Sequence, residues 1–353
     1  MKIKAAILDS DIEFMSRLAK VFEQKYADKI NLSIFSSEEM LYQSLKDNHV
    51  DMILAEQSIK LDKERVPKGI TIGCFSTIPD VDEIEGIPAI CKYQKAEAIY
   101  KMLLHLYAEG ASNVRLIRNK ADMRVILFTS VQGGSGTSAA AAAYAIRKSS
   151  DNTPVFYLNL EKFGDANLYF QGDGKLSFSD VIYFLKSRKG NLPMKIESAV
   201  QTDTSGVDFF HTSRNAYDLF ELSDEDVKLL MEGISQIEKY KEIVIDFSGD
   251  MSERMIMLMR DYADKIVYVS DGSPTGNGKF ERFCEAVRVM EQRQESGILE
   301  KICLLYNRYS SKNSVQLETA AVPVMGGIHR FEGFSGGELV RKIAQTDALT
   351  AIL

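Results

Sequence analysis

Thr129-Ser-Val-Gln-Gly-Gly-Ser-Gly-Thr-Ser138 follows the apolar run Val125-Ile-Leu-Phe128 and leads into the alanine-rich run Ala139–Ala145. A strand, a glycine-rich turn and a helix start in that order place a nest of backbone N–H groups at the positive end of a helix dipole, an arrangement suited to a polyphosphate. Gly133, Gly134 and Gly136 allow close backbone approach, Ser138 offers a hydroxyl to Mg²⁺, and the alanines let the helix sit tightly on a sheet. The stretch therefore predicts an α/β domain with a phosphate loop over 132–138, formed by Gln132, Gly133, Gly134, Ser135, Gly136, Thr137 and Ser138. A lysine is missing from it, because the usual Gly-Lys-Ser/Thr ending reads Gly136-Thr137-Ser138. Losing one charged hydrogen bond to a phosphate costs roughly 1.5–3 kcal/mol, which millimolar ATP tolerates. A basic group in phosphoryl transfer is worth about 10³–10⁵ in rate. Nucleotide binding is thus expected to survive, with hydrolysis slow or absent.

The chain has 353 residues, enough for two domains with a core each. Its 43 basic and 50 acidic residues give a net charge of −7 with no basic block, which argues against a specific nucleic-acid surface. Cys74, Cys91, Cys284 and Cys303, like His49, His105, His211 and His329, are scattered without metal-ligand spacing. The N-terminus is too short in apolar length for a signal peptide, and no stretch approaches the ~20 apolar residues of a membrane span. A cytoplasmic protein is expected.

Residues 1–110 carry five short apolar runs, at Ala5–Leu8, Leu32–Phe35, Met52–Ala55, Ile70–Phe75 and Pro88–Cys91, and read as a five-strand βα repeat. Polar groups follow the runs: Asp9, Ser10 and Asp11 after the first, Glu56 after the third, Ser76 and Thr77 after the fourth, Lys92 after the fifth. Such groups gather at the carboxyl ends of parallel strands, where open α/β sheets carry their sites. Periodicity fails and polar residues cluster over 111–122, the expected linker to a second domain at 123–353. There, Pro154–Glu161, Lys241–Asp246, Lys265–Ser270 and Lys301–Asn307 read as further buried strands, with Asp246 closing the cleanest of them. A carboxylate at that place can hold a Mg²⁺ water beside a phosphate loop.

Residues 1–110 resemble a response-regulator receiver domain of flavodoxin-like fold, a likeness resting on Asp9, Asp11, Glu56, Thr77 and Lys92. The resemblance implies an acidic pair, a phosphoacceptor, a Ser/Thr and a Lys at these places. Because Glu56 stands where the family has Asp, an unphosphorylated receiver is expected: either a docking or dimerising module, in which Glu56 pairing to Lys92 would be a permanent mimic, or a spare α/β domain whose carboxylates are solvated. The second half resembles the MinD/ParA class of deviant P-loop ATPases, whose own second lysine position is Gln132. Within that class, Asn159-Leu-Glu-Lys-Phe-Gly-Asp-Ala-Asn-Leu-Tyr169 is similar to the TadZ/CpaE proteins of tight-adherence pilus assembly, which also place a receiver-like domain first. The resemblance makes Ser138 and Asp246 the Mg²⁺ ligands, the latter through water. It makes Glu161 the residue that orients water, Ser248-Gly-Asp250 the second switch, and Asn307 the adenine contact, with Arg308 beside it in the nucleotide site.

The implied protein is an ATP- and Mg²⁺-binding scaffold at the cell pole, a homodimer with nucleotide, working with other pilus assembly or secretion proteins. The alternatives are an active ParA/MinD-type ATPase for positioning or partitioning, a regulator driven by receiver phosphorylation, and a glycine-rich turn that binds nothing. Three further features stay open. Met255–Met259 is core or an adaptable partner surface. Residues 338–353 offer thin support for a membrane-targeting tail. Ser273–Lys279 is expected as a loop whose Lys279 replaces some missing charge, so that Lys279→Ala would weaken ATP binding.

Overall fold

The computed structural model describes residues 2–62, 64–110, 123–293, 296–310, 312–317 and 320–352. The expected linker at 111–122 lies outside them. Described residues within Met1–Arg115 and Ser187–Ser198 form one compact unit, and those within Leu116–Lys186 and Ala199–Leu353 form another.

The first unit runs β1 (Ile3–Leu8), α1 (Ile12–Lys25), β2 (Ile30–Phe35), α2 (Glu38–Asp47), β3 (Met52–Glu56), β4 (Thr71–Ser76), β5 (Glu83–Ile84), β6 (Ile87–Cys91) and α3 (Ala96–Gly110). Its sheet has the order β2-β1-β3-β4-β6-β5, parallel except for the short β5 edge, the flavodoxin-like arrangement. Each helix start is set locally: Asp11 caps α1 by accepting from the Phe14 N–H, and Ser37 caps α2 by accepting from Met40. All five expected strands form, but the βα repeat is incomplete. Among the described residues no helix follows β3 or β4. Pro67 and Gly69 break the first of these connections. In the second, Pro79 and the left-handed Asp80, Glu85 and Gly86 turn the chain into the β5–β6 hairpin. Ile59, Leu61, Val66 and Ile70 pack on the sheet face that a helix would otherwise cover.

From α3 the second half runs β7 (Arg124–Thr129), α4 (Thr137–Ser150), β8 (Val155–Asn159), α5 (Phe178–Ser187), α6 (Leu192–Ala199), β9 (Val200–Thr202), β10 (Asp208–Phe210), α7 (Asp218–Glu221) and α8 (Asp224–Ser235). It continues with β11 (Glu242–Asp246), α9 (Glu253–Met257), β12 (Lys265–Ser270), α10 (Pro274–Arg293), α11 (Ile298–Lys301), β13 (Ile302–Tyr309), β14 (Val324–His329) and α12 (Gly336–Ile343). The eight-stranded sheet has the order β14-β13-β12-β7-β11-β8-β10-β9, antiparallel only at β9–β10. Val125–Phe128 are wholly buried because β7 is covered on both faces, which is why its sequence is continuously apolar rather than alternating. Every residue from Ala139 to Ile146 is buried as well: with methyl side chains, α4 lies close against the sheet, and Tyr144 fills the remaining space. The chain leaves β7 toward β8 on one side of the sheet and reaches β12 on the other, so the loop after β7 sits at the topological switch point.

Three open features are settled here. Met255, Met257 and Met259 are buried and belong to the core. Along 338–353, Val340, Ile343, Ala344, Leu349 and Ile352 pack into the cluster that holds α4, so the apolar side of this segment is covered by its own domain. Ser273–Lys279 is not a loop, because Pro274 opens the 20-residue helix α10, as proline at a first helical position does. No helix among the described residues is long and apolar enough to cross a membrane.

Candidate functional site

The loop between β7 and α4 turns through Gly134 and Gly136, whose φ values of 76° and 80° only glycine adopts without strain. Among the described residues, the N–H groups of Gly133, Gly134, Ser135 and Gly136 have no hydrogen-bond partner. Ser135 and Thr137 bond to each other through their hydroxyls at 2.8 Å, both buried, which occupies the side chain that stands in the lysine's place. Gln132 and Asp271 are both packed against Gly276, where a Cβ would lie 2.6 Å from the Gln132 Oε1 and from an Asp271 oxygen. Burial raises the Asp271 carboxyl, yet hydrogen bonds from Gln132 and Ser273 outweigh it and hold the group below its usual range.

A second cluster lies beside the first turn of α4. Ser138 donates to the Glu161 carboxylate at 3.2 Å. Asp246, at the end of β11, is fully buried; its Oδ2 accepts from the Tyr157 hydroxyl at 2.8 Å and from Asn159 at 3.5 Å. Its Oδ1 has no hydrogen-bond partner among the described residues. Burial first, and then the charge of Glu161, push the Asp246 carboxyl up to about 7, against weaker pulls from Tyr157 and Ser138. An orphaned buried oxygen beside a second carboxylate and a serine hydroxyl fits a hard divalent cation, because Mg²⁺ in phosphate sites takes one or two carboxylates with the rest of its shell from water and substrate. Asn159 accepts from the Glu161 N–H and so shapes the turn that carries Glu161. Tyr157 escaped the sequence reading because it sits inside an apolar strand run, and only its hydroxyl signals a buried partner.

Asn307 and Arg308, at the end of β13, meet the loop from outside. The Asn307 amide donates to the Ser135 and Gly136 carbonyls at 3.0 and 3.2 Å, and the Arg308 Nη1 donates to the Gly134 carbonyl at 2.8 Å. The Asn307 amide N–H thus clamps the loop backbone. Beside it opens a cavity of about 360 Å³ lined by Ala139, Asn307, Arg308, His329, Arg330 and Phe331, among others. One wall is the segment 329–334 that leaves the end of β14, a strand the sequence reading missed because Val324-Met-Gly-Gly-Ile-His329 has a Gly-Gly pair where a strand pattern should be apolar. A methyl group on Gly136 would lie 2.4 Å from the Asn307 Nδ2 and occupy an unfavourable φ. Gly136→Ala is therefore expected to dislodge Asn307 and weaken Mg·ATP binding by more than tenfold, read by calorimetry; an unchanged Kd would mean the loop does not hold nucleotide.

In the first unit the acidic pocket is closed by its own contacts. The Lys92 Nζ pairs with Asp9 at 2.7 Å, both side chains nearly inaccessible, and lies 3.6 Å from Asp11. Glu56 does not pair with Lys92, contrary to expectation: its Oε2 accepts from the Ser10 hydroxyl at 2.6 Å and the Ser10 N–H at 3.1 Å. Those two bonds hold the Glu56 carboxyl below its usual range. The longer glutamate arm explains the choice, since its oxygens reach past the lysine to the β1 loop. Thr77 lies outside the pocket, exposed and bonded to Gln57, while Ser76 is buried and closes a turn onto Ile78. With its acceptor oxygen engaged by Ser10, the protein is expected to keep its mass on incubation with acetyl phosphate; a gain of one phosphate by mass spectrometry would reverse this.

Residues 1–108 match a family model described as TadZ-like, receiver domain. The first unit is similar to a TadZ-like receiver domain over these residues. No match is found among curated protein sequences. Among solved structures, a ParA family ATPase from Chlorobium tepidum is similar at 18% identity over 65% of this chain and 96% of that chain, with a TM-score of 0.50. MinD in a MinC:MinD complex from Aquifex aeolicus (15%, 65% and 93%, TM-score 0.49) and MinD from Pyrococcus horikoshii, complexed with Mg-ADP (16%, 65% and 93%, TM-score 0.47), are also similar. The chain thus combines a segment similar to a TadZ-like receiver domain with a part whose fold resembles that of a ParA family ATPase. The closed pocket built on Asp9, Lys92, Ser10 and Glu56 lies within the segment that the family model matches, and the glycine-rich loop lies in the other part.

Proposed function

We propose that this chain is an ATP-binding scaffold and polar-localisation factor for tight-adherence pilus assembly, with the receiver in residues 1–110 and a nucleotide-binding domain in 123–353. Mg·ATP holds two copies together as a homodimer and is hydrolysed slowly or not at all. The observation that carries the proposal is the orphaned Oδ1 of Asp246 beside Ser138, Glu161 and a loop of unpartnered N–H groups. In this reading the N–H groups of 133–138 take the phosphates. Ser138 and, through water, Asp246 hold Mg²⁺, and the cavity at the end of β14 takes the nucleoside between Phe331, His329 and the Asn307–Arg308 turn. The lysine-free loop separates binding from turnover, because the missing charges act chiefly on the transition state.

Titration of the purified protein with Mg·ATP by calorimetry, paired with its mass in solution with and without nucleotide, tests this reading. Micromolar binding and a nucleotide-dependent dimer are expected. No binding up to millimolar ATP would leave a scaffold built on a retired ATPase fold, and a monomer under both conditions would remove the dimer. One observation favours the rival reading of a working ATPase: Glu161 is held against Ser138, where an acid can orient water. Phosphate release that rises with protein concentration and vanishes in Asp246→Ala would favour that rival.

A further inference from the structure

We infer that Arg308 supplies the positive charge that the phosphate loop itself lacks, with its guanidinium contacting the phosphates of a nucleotide seated on the N–H groups of Gly133–Gly136. The inference rests on the nucleotide reading above. Arg308 follows the last buried residues of β13 with φ 56°, in the left-handed region that a long side chain rarely occupies. Such a backbone persists where surrounding contacts over-determine it, and here they are visible. Its neighbour Asn307, 2% exposed, is tied to two loop carbonyls, and the Arg308 Nη1 is tied to a third, at Gly134. The Nε lies 3.4 Å from the point where a Gly136 Cβ would stand. The guanidinium therefore lies against residues 134–136, the part of the loop whose N–H groups are unpartnered.

A guanidinium has five N–H donors in a planar fork that suits phosphate oxygens. One donor of Arg308 is engaged on Gly134 among the described residues, and the group as a whole is exposed. Arg330 also lines the cavity but has no hydrogen bond to the loop among the described residues, and two lysines are engaged or placed elsewhere. Lys162 lies over the Phe220 ring at 4.9 Å. Lys279, the sequence-based candidate, is exposed on α10, with no hydrogen bond to the loop among the described residues. Tying the arginine to the loop backbone places its charge in advance, so little side-chain entropy is lost when a phosphate arrives.

Calorimetry of the full-length protein with Mg·ATP and with adenosine, for wild type, Arg308→Gln and Arg308→Lys, tests the inference. Glutamine keeps an N–H donor for the Gly134 carbonyl but removes the charge. Arg308→Gln is expected to weaken Mg·ATP by about 10- to 100-fold while leaving adenosine nearly unchanged, and Arg308→Lys is expected to recover part of the loss. Equal weakening of both ligands would overturn the inference and make Arg308 a loop clamp or a base contact. Unchanged Mg·ATP binding in Arg308→Gln would overturn it too, leaving the nucleotide reading intact. A wild type that binds adenosine and Mg·ATP equally well would also overturn it, and a wild type that binds neither would remove the nucleotide reading itself.

Discussion

At pH 8 and without nucleotide, Asp246→Asn should raise the unfolding temperature of the second domain, although it removes a group proposed to be functional. The Asp246 carboxyl is fully buried and pushed up to about 7 from an ordinary 3.8 by burial and by Glu161. That difference corresponds to about 4 kcal/mol. The sign follows from proton binding: the folded state holds the proton more firmly than the unfolded chain, so stability falls as pH rises from the ordinary carboxylate range through about 7 and is flat beyond. At pH 8 the wild type carries the whole penalty, and an asparagine carries none. The amide oxygen can still accept from Tyr157, so no buried hydroxyl is orphaned by the change. At about 2–4 °C per kcal/mol for a domain of this size, the gain is about 8–16 °C, shrinking toward zero as the pH falls toward 4. Calorimetric scans at pH 5 and pH 8 check it; a difference independent of pH, or a less stable variant at pH 8, would contradict the buried charge. The same substitution should abolish the Mg²⁺ dependence of nucleotide binding. In the wild type, Mg·ATP binding should release a proton below pH 7, visible as a dependence of the measured heat on the buffer. A site that is destabilising when empty and stabilised by a cation is the usual trade between function and stability.

Much of this was legible in the sequence because the chemistry sits at strand ends and the strands are apolar runs. Val125–Phe128, Glu242–Asp246 and Ile302–Asn307 declare both the strand and the place where it stops. What was not legible depends on partners distant in sequence. The reach of a Glu56 carboxylate decides whether Ser10 or Lys92 receives it, and no spacing rule measures that reach. The bonds of Asn307 to the loop carbonyls depend on Gly136 having no Cβ, a contact across more than 170 residues that no local pattern announces. The helices expected after β3 and β4 fail for local reasons that were present in the chain, Pro67, Gly69 and Pro79, yet the regular strand rhythm around them outweighed those signals. β14 was hidden by its glycines, and with it the wall of the cavity that contains His329 and Phe331. The helix α6 segment shows a further limit: Lys195, nearly inaccessible, bonds to Glu109 at 2.7 Å, and Tyr100 donates to Glu197 at 2.9 Å. Nothing in a linear reading indicates that residues beyond 187 complete the packing of the first unit.

In the receiver, Asp9→Asn should cost about 3 kcal/mol of local stability, whereas the double substitution Asp9→Leu with Lys92→Met should come close to wild type. The Asp9 side chain is 0% exposed and that of Lys92 5%, so removing one charge leaves the other buried without its main partner. Breaking such a pair from one side typically costs about 3–5 kcal/mol, while replacing both members by apolar groups is often neutral. The lower end applies here because Asp11, 3.6 Å from the ammonium and partly exposed, takes up some of the charge, and the Phe14 ring lies 4.8 Å from it. Hydrogen exchange of the full-length protein, followed at the β1 and β3 amides, reads the change without assuming that the domains unfold together. Full protection in Asp9→Asn would mean that the pair does not hold the sheet, and a double variant as unstable as the single one would mean that the site needs charge for another reason. A phosphorylation switch requires this lysine to exchange partners when the acceptor gains charge. Here its partner is buried with it, and the acceptor oxygen is committed to Ser10. The same residues that would run a switch in an open pocket thus act as a fixed pin across the ends of β1 and β6.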